Sequence, residues 1–149
     1  MSWQKYVDSN ICGYGDVTSA AILDINTGAV WAASKGLSLD AGKCAAIAKA
    51  IKNGDSSICG TGAFFSGDKF RIIKIQLHHE DNTYFYMIGK SGSNKFFYAK
   101  GTKLCVICGL LDKSITKKYM DGEDEKIVGD SNVLKRVDEI AAYLIASNY

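Results

Sequence analysis

Proline is absent from all 149 residues, so the chain presents no polyproline motif of its own, though it remains free to read one on another protein. Long apolar runs are missing as well. The longest, Leu104-Cys105-Val106-Ile107-Cys108-Gly109-Leu110-Leu111, is far too short to span a bilayer. No signal-peptide pattern opens the chain, because Lys5 and Asp8 interrupt it. A formal net charge of +2 is too small to make nucleic acid the main partner. The five cysteines, Cys12, Cys44, Cys59, Cys105 and Cys108, are odd in number and lack a secretory context. They read as reduced thiols in a cytosolic protein.

What remains is ordinary in bulk and unusual at its ends. With 47% hydrophobic and 23% charged residues, one domain spanning 1–149 is expected, burying roughly two-thirds of its unfolded surface without any staple. Chain ends are commonly frayed and polar, yet this chain places Trp3 and Tyr6 at one end and Tyr143 and Tyr149 at the other. On a helix, Trp3 and Tyr6 lie three apart on one face, and Tyr143 and Leu144 fall on the same or adjoining faces. Two such helices packed together would form a shallow aromatic trough with exposed hydroxyl and indole donors, suited to a proline-rich ligand with bare carbonyls. On spacing alone, core packing explains these aromatics about as well.

Between the ends, local signals define the elements. Ser2 is a helix cap for a segment reaching about Cys12, stopped by Gly13-Tyr14-Gly15. Thr18 to Ile25 and Ala29 to Ala33 read as a hairpin around Asn26-Thr27-Gly28. Asp40 caps an Ala-rich helix through about Lys52. Strands follow at 61–66, 69–78, 83–90, 95–100 and 103–110, on links so short that neighbours must be antiparallel. Several are apolar at both parities, which predicts a sheet covered on both faces. Val133, Leu134, Val137, Ile140, Ala141, Leu144 and Ile145 follow helical spacing behind a Ser131 cap. The fold class is therefore α+β, a central antiparallel meander with the N- and C-terminal helices together on one face and the smaller helix on the other. The segment 112–130 stands apart, polar and charged in both signs, and reads as a surface excursion.

Catalytic or metal chemistry finds no support. Cys105 and Cys108 lie three apart in a strand and point to opposite faces, so they cannot share a metal. His78 and His79 sit at a strand end where neighbours also diverge. The run from Asp121 to Glu125 fails as a calcium loop, since its glycine position holds Lys126 and its closing glutamate position holds Asn132. Gly60-Thr61-Gly62 leads to no phosphate-binding lysine and helix, and Asp24 and Asp40 have no evident partners. No enzyme and no cofactor are expected.

The opening Met1-Ser2-Trp3-Gln4-Lys5-Tyr6-Val7-Asp8 resembles the start of a profilin. So do Ala20-Ala21-Ile22-Leu23 followed by Val30-Trp31-Ala32, Thr61-Gly62 leading into Gly67-Asp68-Lys69-Phe70, Gly89-Lys90-Ser91-Gly92, the Gly101-to-Gly109 strand and Glu139-Ile140-Ala141-Ala142-Tyr143-Leu144. The order and spacing of these pieces carry the resemblance over nearly the whole chain. It implies a cytoplasmic, cytoskeleton-associated protein that binds monomeric actin on one face and proline-rich proteins, such as formin-type elongation factors, on another. Many relatives also bind polyphosphoinositides. By position, the proline groove would hold Trp3, Tyr6, Trp31, Tyr143, Leu144 and Tyr149; some relatives carry histidine at Tyr143. The actin face would hold Lys69, Arg71, Ile72, Lys74, Lys90, Asn94, Lys135 and Glu139, with Ile88 where many relatives have a second basic residue. The excursion at 112–130 is longer than the usual family loop and precedes the actin-facing helix, which adds Lys117 and Lys118 as candidates. Two other functions fit the same pattern: a PAS-like small-molecule sensor using a cavity between the two-faced strands, and a membrane-surface adaptor using Lys95, Lys100, Lys103, Lys117 and Lys118 against anionic lipid.

Overall fold

A computed structural model describes residues 2–149. Nine strands are present among them: β1 (Ser19–Asp24), β2 (Val30–Ala33), β3 (Ala63–Phe65), β4 (Asp68–Leu77), β5 (Phe85–Ser91), β6 (Lys95–Gly101), β7 (Cys105–Asp112), β8 (Lys118–Asp121) and β9 (Asp124–Ile127). The helical segments are α1 (Trp3–Lys5), which widens into a π-helical turn over Tyr6–Ile11, then α2 (Ala41–Asn53), α3 (Ile58–Thr61) and α4 (Asp130–Ala146). Strands β3 to β7 form the expected antiparallel meander, and β1 closes onto its last member, giving the order β2-β1-β7-β6-β5-β4-β3. The β1–β7 register runs from Ser19 opposite Leu110 to Asp24 opposite Cys105. It brings the two ends of the chain to the same region of the sheet.

Strand β7 is buried at every position, because helices cover both faces. On one face α2 packs with Leu23, Phe65, Phe70, Met87, Phe97 and Cys108. On the other, the α1 segment and α4 pack with Ile22, Tyr98, Cys105, Ile107 and Leu111. Cys105 and Cys108 thus do face opposite ways. Burial pushes the Cys105 thiol up to about 11 and raises that of Cys108 well above its ordinary value, so neither is a nucleophile at neutral pH. The seat of α4 on β7 is close. A Cβ at Gly109 would meet Val133 Cγ1 at 2.7 Å and Val137 Cγ2 at 2.9 Å.

Several local expectations are corrected. The strand placed at 61–66 begins only at Ala63, because Ile58–Thr61 makes a helical turn first. Strand β4 carries a bulge where Ile72 pairs with Gly89 but Lys74 with Ile88, so parity changes at Ile73. Helix α4 starts one residue before Ser131, with the Asn132 side chain accepting from the Gly129 N–H at 3.0 Å. His78 and His79 do not diverge: their rings stack at 4.7 Å, with His78 buried beside Asp138. The excursion at 112–130 contains an ordered hairpin of β8 and β9.

A buried ion pair fixes α4 to the start of the sheet. Asp16 is fully buried and accepts from Arg136 Nε at 3.0 Å, from its Nη2 at 2.9 Å and from Asn132 Nδ2 at 3.0 Å, while the Tyr14 ring covers the guanidinium at 3.6 Å. Removing one partner of such a pair strands the other charge, which costs about 3 kcal/mol or more. Asp16→Ala is therefore expected to lower the unfolding free energy by that amount, seen in urea as a lower midpoint with an unchanged denaturant slope. A loss under about 1 kcal/mol would show that this contact does not hold the helix.

Candidate functional site

The aromatic residues of both ends converge. Ser2 caps α1 by accepting from the Lys5 N–H, which directs Trp3 and Tyr6 from one short helical segment. Gln4 mimics a strand partner for β2: its Nε2 donates to the Ala33 carbonyl at 2.8 Å and its Oε1 accepts from the Ala33 N–H at 3.4 Å. This holds Trp31 against Trp3, with ring centroids 4.8 Å apart. At the other end, α4 closes in a Schellman turn. The Tyr149 N–H donates to the Leu144 carbonyl and the Asn148 N–H to that of Ile145, with Asn148 left-handed at φ 70. The main-chain oxygen of Tyr149 then accepts from the Leu104 N–H at 2.6 Å and the Thr102 hydroxyl at 2.9 Å.

This clasp seats the Tyr149 ring edge-on to Trp3 at 5.7 Å, while Tyr6 lies 5.8 Å from Trp3 and 6.2 Å from Tyr143. Trp31, Trp3, Tyr6, Tyr143 and Tyr149 form one connected run of rings. Trp3, Tyr6, Tyr143, Leu144, Ser147 and Tyr149 enclose a surface hollow of about 270 Å³. Tyr143 is 56% exposed and Tyr149 44%, so these two rings face solvent, while Trp3, Tyr6 and Trp31 are half-buried against the core. Leu144, expected as a contact residue, is only 2% exposed and forms the floor. Ser147 was not foreseen, since it lies past the periodic part of α4 and no sequence signal marks it. Burial first, and the phenols of Tyr143 and Tyr149 second, raise the Tyr6 phenol above its ordinary value. It therefore keeps its proton and can donate to a carbonyl.

The expected basic face is assembled in part. Arg71 and Lys90 are cross-strand neighbours on β4 and β5, and with Lys69 they line a hollow of about 510 Å³ floored by Gly60, Gly62 and Gly92. Ile72 does not belong to this surface: it is buried in the α2-side core, because it alternates with Arg71 along β4. Lys74, past the bulge, lies over the Tyr86 ring at 5.7 Å. Asn94, Lys117, Lys135 and Glu139 are exposed but do not line that hollow. Asp130, which sequence reasoning missed, sits 3.9 Å from Lys90 and 2.9 Å from Lys113, joining β5 to the first turn of α4.

Of the lysines expected to meet lipid, Lys103 and Lys117 are exposed and the other three are paired. Lys100 is buried and paired with Asp81 at 2.8 Å, Lys95 with Asp68 at 2.6 Å and Lys118 with Glu125 at 2.9 Å. The two-faced strands that a sensor would need around a cavity are occupied on both faces by packed side chains. Among the described residues, no helix is long and apolar enough to cross a membrane.

Comparison with known proteins adds an independent result. The family model described as Profilin matches residues 1–149. Profilin-3 of Caenorhabditis elegans is 35% identical over 115 residues, covering 77% of this chain and 83% of the relative. The crystal structure of Schizosaccharomyces pombe profilin superimposes with a TM-score of 0.79 at 25% identity, covering 99% of this chain and all of that one. Mouse profilin IIa, solved in complex with a double repeat from the FH1 domain of mDia1, shares the fold with a TM-score of 0.66 at 20% identity and full coverage of both chains.

One titration tests the polar packing beneath α4. Burial, and then the Asp138 carboxylate accepting its hydroxyl at 2.6 Å, raise the Tyr98 phenol far above its ordinary value. Its stabilising effect is complete below the unfolded phenol value of about 10 and is lost as pH rises above it, because the unfolded chain gives up the proton first. The stability advantage of the wild type over Tyr98→Phe is expected to be constant up to about pH 10 and to shrink beyond it. A difference that holds through pH 11 in urea titrations would contradict the assignment.

Proposed function

This chain belongs to the profilin family, and from that premise we propose that it is a stoichiometric actin-monomer binder that couples actin to proline-rich proteins through a separate groove. The observation that carries the proposal is the continuous run of rings from the half-buried Trp31 through Trp3 and Tyr6 to the exposed Tyr143. A proline-rich helix is a preformed ligand. Its pyrrolidine rings stack on such a surface, and its unpaired carbonyls accept from the tyrosine hydroxyls and indole N–H groups along the rim.

Actin is assigned to the basic face. Lys69, Arg71 and Lys90 line one hollow there, and Lys74, Asn94, Lys135 and Glu139, with Lys117 and Lys118 on the excursion, are further candidates by position. Clustered cations speed encounter with an acidic partner and fix its orientation. The two surfaces are set apart by α4 itself, whose 17 residues span about 25 Å. Tyr143 lies near the C-terminal end of that helix, while Asp130 joins Lys90 at its start. One molecule can therefore hold actin and a formin-type partner together, blocking monomer addition at one filament end and delivering it at the other. The activity is binding rather than catalysis, carried out in the cytoplasm and at the cytoskeleton. The hollow lined by Lys69, Arg71 and Lys90 is also the place where a polyphosphoinositide headgroup would compete with actin.

Trp3→Ala is expected to weaken oligoproline binding by about 2 kcal/mol or more, as for a central aromatic anchor, and to leave actin affinity unchanged. Lys90→Glu is expected to weaken actin binding about tenfold at low salt, and less at high salt, with peptide affinity unaffected. Pull-down on immobilised oligoproline, with and without actin monomer, reads both surfaces at once. If each variant lost both activities together, a two-faced adaptor would be the wrong model.

A further inference from the structure

The hairpin inside the charged excursion has an inner and an outer face, and they differ in kind. Its register pairs Lys118 with Ile127, Tyr119 with Lys126, Met120 with Glu125 and Asp121 with Asp124. Gly122, at the first central position of the two-residue turn with φ 66, suits the tight connections that hairpins favour. Residues directly opposite each other share a face. Tyr119 therefore marks the inner face, where it packs against the core under α4. Lys118, Met120, Glu125 and Ile127 make up the outer face.

The sequence reads this segment as a charged one, yet its outer charges cancel. Lys118 and Glu125 form an ion pair of 2.9 Å, and on the inner side Lys126 pairs with Asp121 at 2.6 Å. What the outer face leaves uncompensated is apolar: Met120 is 58% exposed and Ile127 is 81% exposed. A lone two-stranded hairpin has marginal stability in water; this one leans on the core through Tyr119, and Met120 and Ile127 lie diagonally across its outer face in solvent. The arm is also fixed in place. The Val128 N–H donates to the Lys117 carbonyl at 3.0 Å, closing its base, and the chain passes directly into the first turn of α4. There Asp130 meets Lys90 and Lys113. The outer face and the basic face are thus joined through one short, ordered connection.

We propose that the outer face of this hairpin is an apolar arm that docks on the actin monomer beside the basic face, with Met120 and Ile127 as its anchors; this rests on the actin assignment made above. The basic face steers and orients the partner. The arm adds contact that does not depend on charge, so the roles of Lys117 and Lys118 in binding are secondary to those of their apolar neighbours.

The test compares four proteins in an actin-monomer affinity measurement at low and high salt: wild type, Met120→Ser/Ile127→Ser, Asp121→Ala/Lys126→Ala, and Lys90→Glu. Because Met120 and Ile127 are exposed, their replacement is expected to leave the melting temperature unchanged. Affinity is expected to fall about tenfold or more on their removal, as for clustered apolar anchors, by a similar factor at both salt concentrations. The Asp121/Lys126 variant, on the inner side, is expected to change affinity less than about twofold, as for a self-compensated surface pair. If Lys90→Glu weakens binding while the Met120/Ile127 variant does not, the arm is overturned and the basic face stands. If the Met120/Ile127 variant weakens binding while Lys90→Glu does not, the arm stands and the basic face falls. No measurable wild-type binding removes both. Sedimentation of the wild type as a dimer that the Met120/Ile127 variant abolishes, or binding to anionic vesicles lost in that variant, would assign the arm to another occupant and overturn the proposal.

Discussion

Helix α4 can lie against β7 because position 109 has no side chain, and the close approach of Val133 and Val137 to that backbone sets where both ends of the helix emerge. At its start, Asp130 reaches Lys90 and Lys113. At its finish, the Schellman turn throws Tyr149 back toward Trp3. A helix displaced outward by one added methyl group would shift the groove wall that carries Tyr143 and the Asp130 contact to Lys90 together, since one rigid element carries both. The Asp16–Arg136 pair acts at the same contact from the side, so α4 is held by packing along its length and by a buried charge near its first turns.

The groove depends on main-chain anchoring more than on its rings. Aromatic pairs contribute of order 1 kcal/mol beyond their burial, which is too little to order two chain ends alone. The Gln4 side chain paired with Ala33, and the Tyr149 main chain held by Leu104 and Thr102, fix the backbones first. The rings then meet at the spacing those backbones dictate, and preorganisation of this kind lowers the ordering cost of binding an extended ligand.

Part of the charge in this protein is spent on itself. Lys95, Lys100, Lys113, Lys118 and Lys126 each meet a carboxylate within 3 Å, while Lys69, Arg71 and Lys90 line a basic hollow. That explains why a net charge of +2 coexists with a defined cationic site, and why the charged excursion presents an apolar face.

The sequence by itself determined the meander, the two-sided burial of its strands, and the capped helices at Asp40 and before Val133. These follow from local signals, namely period, caps and turn residues, whose physics acts within a few positions of chain. The resemblance named Trp31 for the groove; the fold stacks it on Trp3, with Gln4 joining its strand to the N-terminal segment. Tertiary structure alone decided the rest: that Ile72 turns inward ahead of a bulge, that Leu144 is floor rather than rim, that Lys100 is buried against Asp81, that His78 stacks on His79, and that Met120 and Ile127 face outward together. Each of these depends on which partner a side chain finds across the sheet or from a distant turn. Sequence spacing fixes the direction in which a residue points, but not what waits there.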